Sequence, residues 1–170
     1  MKKLLVLILL GFCAAAKAQA PDPDTTARHF IIMASIGNLQ EVNSGRLAGQ
    51  KSSKPGVRSF GQMMVSDHSE AQQKLIALAK QQNIRIPSEA TSGIQTDLKL
   101  KNANSSAFDP LYIHDMLADH RATIQMFEAY ALTGKDPGLR TFAQQTLPTL
   151  KKHLAEVQKL DEQTRNQVAQ

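Results

Sequence analysis

The chain has 170 residues, a formal net charge of +5 and a single cysteine. That length suits one domain with its own core, and one cysteine excludes an internal disulfide or a thiolate metal cage. Three of the lysines behind the positive balance sit close to the start of the chain, so the charge is only weak support for a nucleic-acid partner, and none is expected.

The chain opens "MKKLLVLILLGFCAAAKAQA", with Lys2 and Lys3 followed by an apolar run from Leu4 to about Ala16. This pattern predicts a secretory signal peptide over residues 1–18, its apolar core too short to span a bilayer. Cleavage is expected after Ala18 or Ala20; Pro21 would follow the second cut, which favours the first. Cys13 follows Phe12, where lipid attachment wants a small residue. Loss of Lys2, Lys3 and Lys17 takes the formal charge from +5 to +2, and the only cysteine leaves too. No second apolar stretch reaches spanning length, so the mature chain is expected to have no transmembrane segment. The expected location is the periplasm or outer membrane of a Gram-negative-type bacterium, with a cell-envelope partner as one option and the oligomeric state open.

After a polar, proline-bearing leader over residues 19–26, residues 27–165 read as helix with little else. A first helix is expected from Ala27 to Lys51, ended by "SSKPG" (52–56). Pro55 suits the start of the second, which runs to about Asn83. Pro87 then breaks the chain, and residues 84–107 form a connection in which Ser88 and Glu89 could start a short helix, roughly 88–101. A third long helix covers about 108–133 and closes at "TGKDPG" (133–138). The fourth runs from Pro137 to about Arg165, with Pro148 as an expected kink. No segment alternates like a strand.

The chain repeats itself. "KPGVRSFGQ" (54–62) matches "DPGLRTFAQ" (136–144), and the same offset lays Phe30 on Tyr112 and Ile31 on Ile113. Helices one and two therefore form a hairpin that helices three and four repeat. Two antiparallel hairpins joined by a long crossover that contains a short helix make an all-α, ferritin-like four-helix bundle.

The inward seams carry the chemistry. In helix two, Val57, Gly61, Met64, His68, Ala71, Leu75 and Leu78 alternate steps of four and three. Corresponding stripes on the other helices place Glu41, His120 and His153 inward. Glu41 and His68 stand almost equally far from Pro55 on either side of it, as do His120 and His153 from Pro137. At ~1.5 Å per residue the two pairs fall within roughly 5 Å of one height. Burying that many ionisable groups is costly unless they bind one another or a cation.

The phrases "MVSDH" (64–68) and "MLADH" (116–120) put a methionine one turn before His68 and before His120. Asp67, Asp119, Met64, Met116, Glu156 and Tyr112 are expected around the four inward groups. Neighbours on a helix diverge by about 100°, so Asp67 and Asp119 should each serve a histidine on another helix or a helix-capping group. A histidine-rich, carboxylate-poor set suits zinc, copper or a single iron better than a bridged di-iron centre.

The stretch from "IGNLQEVNSGRLAGQKSSKPGVRSFGQMMVSDH" through "FDPLYIHDMLADH" to "LPTLKKHL" resembles the bacterial envelope family named domain of unknown function 4142. The resemblance covers roughly residues 27–160. Its motif positions are Glu41, Asp67, His68, Phe108, Asp109, Tyr112, Asp119, His120, Pro148 and His153. It implies a ferritin-like fold and an envelope location, and it implies no reaction. Two readings share these residues: a metal-binding envelope protein with a storage, buffering or stress role, and an interaction module whose His/Glu network is purely structural. An enzyme using the cluster for acid–base work is the least supported class; no Gly-x-Ser-x-Gly elbow occurs, and no residue is assigned as catalytic.

Overall fold

The computed structural model describes residues 25–86 and 98–168. The expected signal peptide, most of the polar leader and most of the expected 88–101 helix lie outside the described residues. Those described form five helices and no strand: α1 (Thr25–Lys51), α2 (Pro55–Gln81), α3 (Leu98–Asn102), α4 (Ser105–Thr133) and α5 (Pro137–Val168). No helix among them is long and apolar enough to cross a membrane.

Local chemistry sets the helix ends. Pro55 occupies the first turn of α2, where its missing N–H costs nothing. Asn83 closes α2 in the left-handed region at φ 52°, and Ile84 N donates to Ala79 O at 2.9 Å while Asn83 N donates to Lys80 O at 3.2 Å. That is a Schellman closure, with Ile84 buried beyond it. α4 begins at Ser105, just ahead of the expected Phe108, because the Asn104 side chain accepts from Ala107 N at 2.9 Å and caps the helix there. α5 continues through Pro148.

The repeat is built into the turns. Arg58 Nη1 donates to the carbonyls of Ser52 and Ser53 at 3.1 and 2.6 Å. Arg140, its mate in the second hairpin, donates to Gly134 and Lys135 at 2.8 and 3.3 Å. In both hairpins a guanidinium from the second helix satisfies carbonyls left open at the end of the first.

α1 packs along α2 and α4 along α5; the hairpins meet with α1 against α4 and α2 against α5. The apolar interior falls into two clusters. One gathers Phe30, Phe127, Tyr130, Leu139 and Phe142, with Phe30 stacked on Tyr130 at a centroid distance of 4.1 Å. The other gathers Phe60, Met64, Phe108, Tyr112, Met116 and Val157. Between them on every long helix lies a buried polar layer: Ser35, Asn38 and Glu41 on α1, His68 and Gln72 on α2, His120 on α4 and His153 on α5.

The stripes drift from a strict heptad. α2 buries Gln72 and Ala79 where steps of four and three predict Ala71 and Leu78, and α4 buries Ile124 in place of Thr123. An unsupercoiled helix advances about 3.6 residues per turn, so a 3.5-residue pattern slips by one position after a few turns.

Candidate metal centre

Each of the four polar groups arrives on a different long helix, sandwiched between the two apolar clusters. The Glu41 side chain is 3% exposed, as is that of His68, and His120 and His153 are at 0–1%. The three imidazoles form a near-equilateral triangle, with ring centroids 5.8 Å apart for His68–His120, 5.3 Å for His68–His153 and 5.4 Å for His120–His153. Each offers a nitrogen such that the three lie within 4.8 Å of one another.

The outer partners fix which nitrogen carries the proton. His120 Nδ1 lies 2.9 Å from the Met116 carbonyl oxygen, which only accepts, so Nδ1 donates. His153 Nε2 donates to Asp67 Oδ2 at 2.9 Å. His68 Nδ1 lies 2.8 Å from Glu41 Oε2 and 3.0 Å from Asn38 Oδ1, two acceptors, so it donates as well. Glu41 Oε1 also stands 3.3 Å from His120 Nδ1. With the outer nitrogens committed, the lone pairs left on neutral rings are those of His68 Nε2, His120 Nε2 and His153 Nδ1. The last two face each other at 3.3 Å. His68 Nε2 is buried and has no hydrogen-bond partner among the described residues.

Burial works against a charge on two of the rings. Burial holds the pKa of His120 below its ordinary value, against the pull of Glu41. Burial likewise takes His153 down to about 4, although its bond to Asp67 pushes the other way. Burial alone would raise the Glu41 carboxyl; attraction to His68, the His68 hydrogen bond and the other two imidazoles outweigh it and hold Glu41 low. Burial, then the nearby Glu41, pushes the Tyr112 phenol far above its usual range.

The predicted residues divide in the structure. Glu41, His68, His120 and His153 meet, with Glu41 against the outer Nδ1 atoms of two rings rather than inside the triangle. Asp67 reaches from α2 to His153 on α5. Met64 and Met116 pack in the neighbouring apolar cluster, and it is the Met116 carbonyl, not its sulfur, that touches the centre. Tyr112 stacks on Phe108 at 5.7 Å in that same cluster. Asp119 is exposed beside a groove between α1 and α4. Glu156 pairs with Lys159 at 2.9 Å on the surface and does not join.

Three participants escape the sequence reading. Asn38 Nδ2 donates to Gln72 Oε1 at 3.3 Å, and Gln72 Nε2 donates to Ser35 Oγ at 2.7 Å, a buried ladder that ends on His68. The available signal was spacing: Ser35 with Asn38, and His68 with Gln72, each sit one turn apart on one helix face.

Three inward imidazole lone pairs with oriented outer hydrogen bonds can hold a cation. Metal–nitrogen bonds of ~2.0–2.1 Å in a tetrahedron place ligand nitrogens about 3.4 Å apart. The His120–His153 separation of 3.3 Å already meets that requirement. Two carboxylates, Glu41 and Asp67, stand where they would offset the charge of a divalent ion.

No curated protein and no solved structure matches this chain at a significant level. A family model described as Domain of unknown function (DUF4142) matches residues 13–160. Since that match takes in the whole of the polar layer and all four long helices through Leu160, the chain belongs to the DUF4142 family.

Proposed function

We propose that this protein is an exported envelope protein that binds one divalent first-row metal ion through His68, His120 and His153. The observation that carries the reading is the set of outer hydrogen bonds. Met116 O, Asp67 and Glu41 each take one imidazole N–H. That leaves one lone pair on each ring, and one nitrogen from each of the three lies within 4.8 Å of the others. Outer partners of this kind orient metal-ligating histidines and raise their basicity. A purely structural network would gain nothing from opposing the His120 and His153 lone pairs at 3.3 Å.

Glu41 and Asp67 serve as the compensating charges, and the fourth coordination position is left to water or a small ligand. With three nitrogen ligands and no thiolate, zinc, copper and iron are the candidate ions. The signal-peptide pattern at the start of the sequence supports a place in the periplasm or at the outer membrane. The pairing of two repeated hairpins fits a ferritin-like bundle, whose metal sites are likewise built from facing helices at mid-height. A role in metal storage, buffering or stress protection fits a buried site without a nucleophile motif.

The test is elemental analysis of protein exported to a periplasm and purified without chelator or polyhistidine tag, beside a His68→Ala/His120→Ala variant. Near-stoichiometric metal that the variant lacks is the expected result. Failure of the wild type to bind zinc, copper or iron after reconstitution would leave the histidines as a hydrogen-bonded network of a structural or interaction module.

A further inference from the structure

We propose that a hydrated divalent cation reaches the centre through the groove between α2 and α5, with Asp67 as its first carboxylate; this rests on the metal reading above. A cation shedding its water needs replacement oxygens at every step, because a bare charge in an apolar interior is very costly. The triangle itself offers no direct approach, since its histidines are at most 3% exposed. Asp67 is different: its side chain is 34% exposed, yet its Oδ2 lies 2.9 Å from His153 Nε2. It touches water and the centre together.

Asp67 lines a groove of about 180 Å3 with Glu70, Lys74, Gln145, Thr146 and Thr149. Beside Ala71 and Phe142, those side chains supply carboxylate, amide and hydroxyl oxygens within the groove. Lys74 is drawn onto Glu70 at 2.6 Å, which neutralises the one cation in the groove wall. Asp67 holds Nε2 of His153, so a single imidazole ring separates its carboxylate from Nδ1, the nitrogen proposed as ligand.

A second groove of about 170 Å3 lies between α1 and α4 and reaches Glu41. Its lining is largely apolar, with Met33, Ile36, Gly37, Ala122 and Met126 among the residues around it. Glu41 at its inner end is 2% exposed. Gln40, Asp119 and Thr123 also line this groove, but its wall is more apolar than that of the α2/α5 groove, and Glu41 is already engaged by His68 Nδ1 at 2.8 Å. The polar groove wins on both counts.

The experiment follows Co2+ uptake by the metal-free full chain, using visible absorption in a stopped-flow instrument. Thr149→Phe fills the α2/α5 groove, Gln145→Lys places a cation at its rim, and Gly37→Leu fills the opposite groove; none is a ligand. Circular dichroism checks that each variant is folded. Thr149→Phe and Gln145→Lys should slow uptake about fivefold or more, and the Gln145→Lys penalty should shrink as salt is raised. Every variant should still bind a single Co2+ per chain at equilibrium, and Gly37→Leu should keep the wild-type rate. Unchanged rates in both groove variants, or slowing confined to Gly37→Leu, overturn the port while the metal site stands. A wild-type chain that binds no Co2+ at equilibrium removes the site and the port together.

Discussion

His120 Nε2 and His153 Nδ1 face each other at 3.3 Å while the other nitrogen of each ring is already donating, to the Met116 carbonyl and to Asp67. A neutral imidazole has one N–H. Two lone pairs therefore meet unless something positive stands between them, and only a proton or a metal cation fits the gap. Burial disfavours the proton on both rings. The proposed cation would relieve this opposition, and His68 Nε2, buried without a hydrogen-bond partner among the described residues, would offer it a third donor.

Acid should destabilise the metal-free protein in a defined window. His153 has a folded pKa of about 4 against an ordinary value of 6.5. Between those values the unfolded chain binds the extra proton, so stability rises with pH and is lost as pH falls from about 6.5 to 4. For His153 alone the difference is on the order of 3 kcal/mol. His120 is shifted in the same direction and adds to it. Glu41 is held low, so its contribution is complete above the ordinary carboxyl value and is lost progressively as pH falls below it. Thermal melts of metal-free protein between pH 7 and pH 4 should show the fall, and His153→Gln should flatten it. A wild-type melting temperature constant across that range would contradict the neutral assignment.

Removing an outer charge should weaken the ion without removing a ligand. Glu41→Gln takes away a carboxylate 2.8 Å from His68 Nδ1, and Asp67→Asn does the same at His153. Outer hydrogen-bond partners of metal-bound histidines are typically worth roughly 10–100-fold in affinity. Competition titrations with a zinc-sensitive dye should place each variant in about that range, and the double variant weaker than either. His153→Ala should lose more than Asp67→Asn; equal losses would mean that Asp67, not the imidazole, is the ligand.

The hairpins were legible because their signals are local: the two proline turns, the matched arginines and the apolar stripes all sit in short stretches. Glu41, His68, His120 and His153 could be brought to one height by counting along the chain from Pro55 and Pro137. The repeat itself could not find the centre, since its offset pairs His68 with Leu150, His153 with Ala71 and His120 with Asn38. What stayed hidden depends on side-chain rotamers and small helical drift. The Met116 carbonyl takes the imidazole N–H only through the His120 ring orientation. Gln72 enters the layer because α2 slips from its heptad. Glu156, expected around the inward groups, instead pairs with Lys159 at the surface.

The ladder from Ser35 through Gln72 and Asn38 to His68 should behave as one unit. Asn38→Ala removes a donor to Gln72 and an acceptor for His68 at a position only 6% exposed. Leaving buried polar groups unsatisfied costs about 1–3 kcal/mol each. Urea unfolding of Asn38→Ala, Gln72→Ala and the double variant forms a double-mutant cycle. The pair should cost less than the sum of the singles, because the second change removes a group the first had already stranded. Strict additivity would mean that the ladder is not coupled.

Two glycines on α1 and α2 should respond to alanine with opposite signs. Alanine is favoured over glycine inside a helix by about 1 kcal/mol, mainly through backbone entropy. At Gly49 an added Cβ meets nothing within 4 Å, so Gly49→Ala should gain up to about that amount. At Gly61 the same Cβ would stand 2.7 Å from both Ala48 Cβ and Gly45 O. Backbone cannot rotate away as a side chain can, so the helices must part, at a cost of roughly 1–3 kcal/mol that exceeds the propensity gain. The crossing of Gly45 and Gly61 lies one turn beyond Glu41 on α1 and two turns before His68 on α2. Parting the helices there should lengthen the Glu41–His68 contact as well. Gly61→Ala is therefore expected to lower the melting temperature and weaken zinc binding together, whereas Gly49→Ala raises the first and leaves the second alone. A Gly61→Ala protein that binds zinc normally, despite its lost stability, would show that the centre does not depend on how closely α1 and α2 cross.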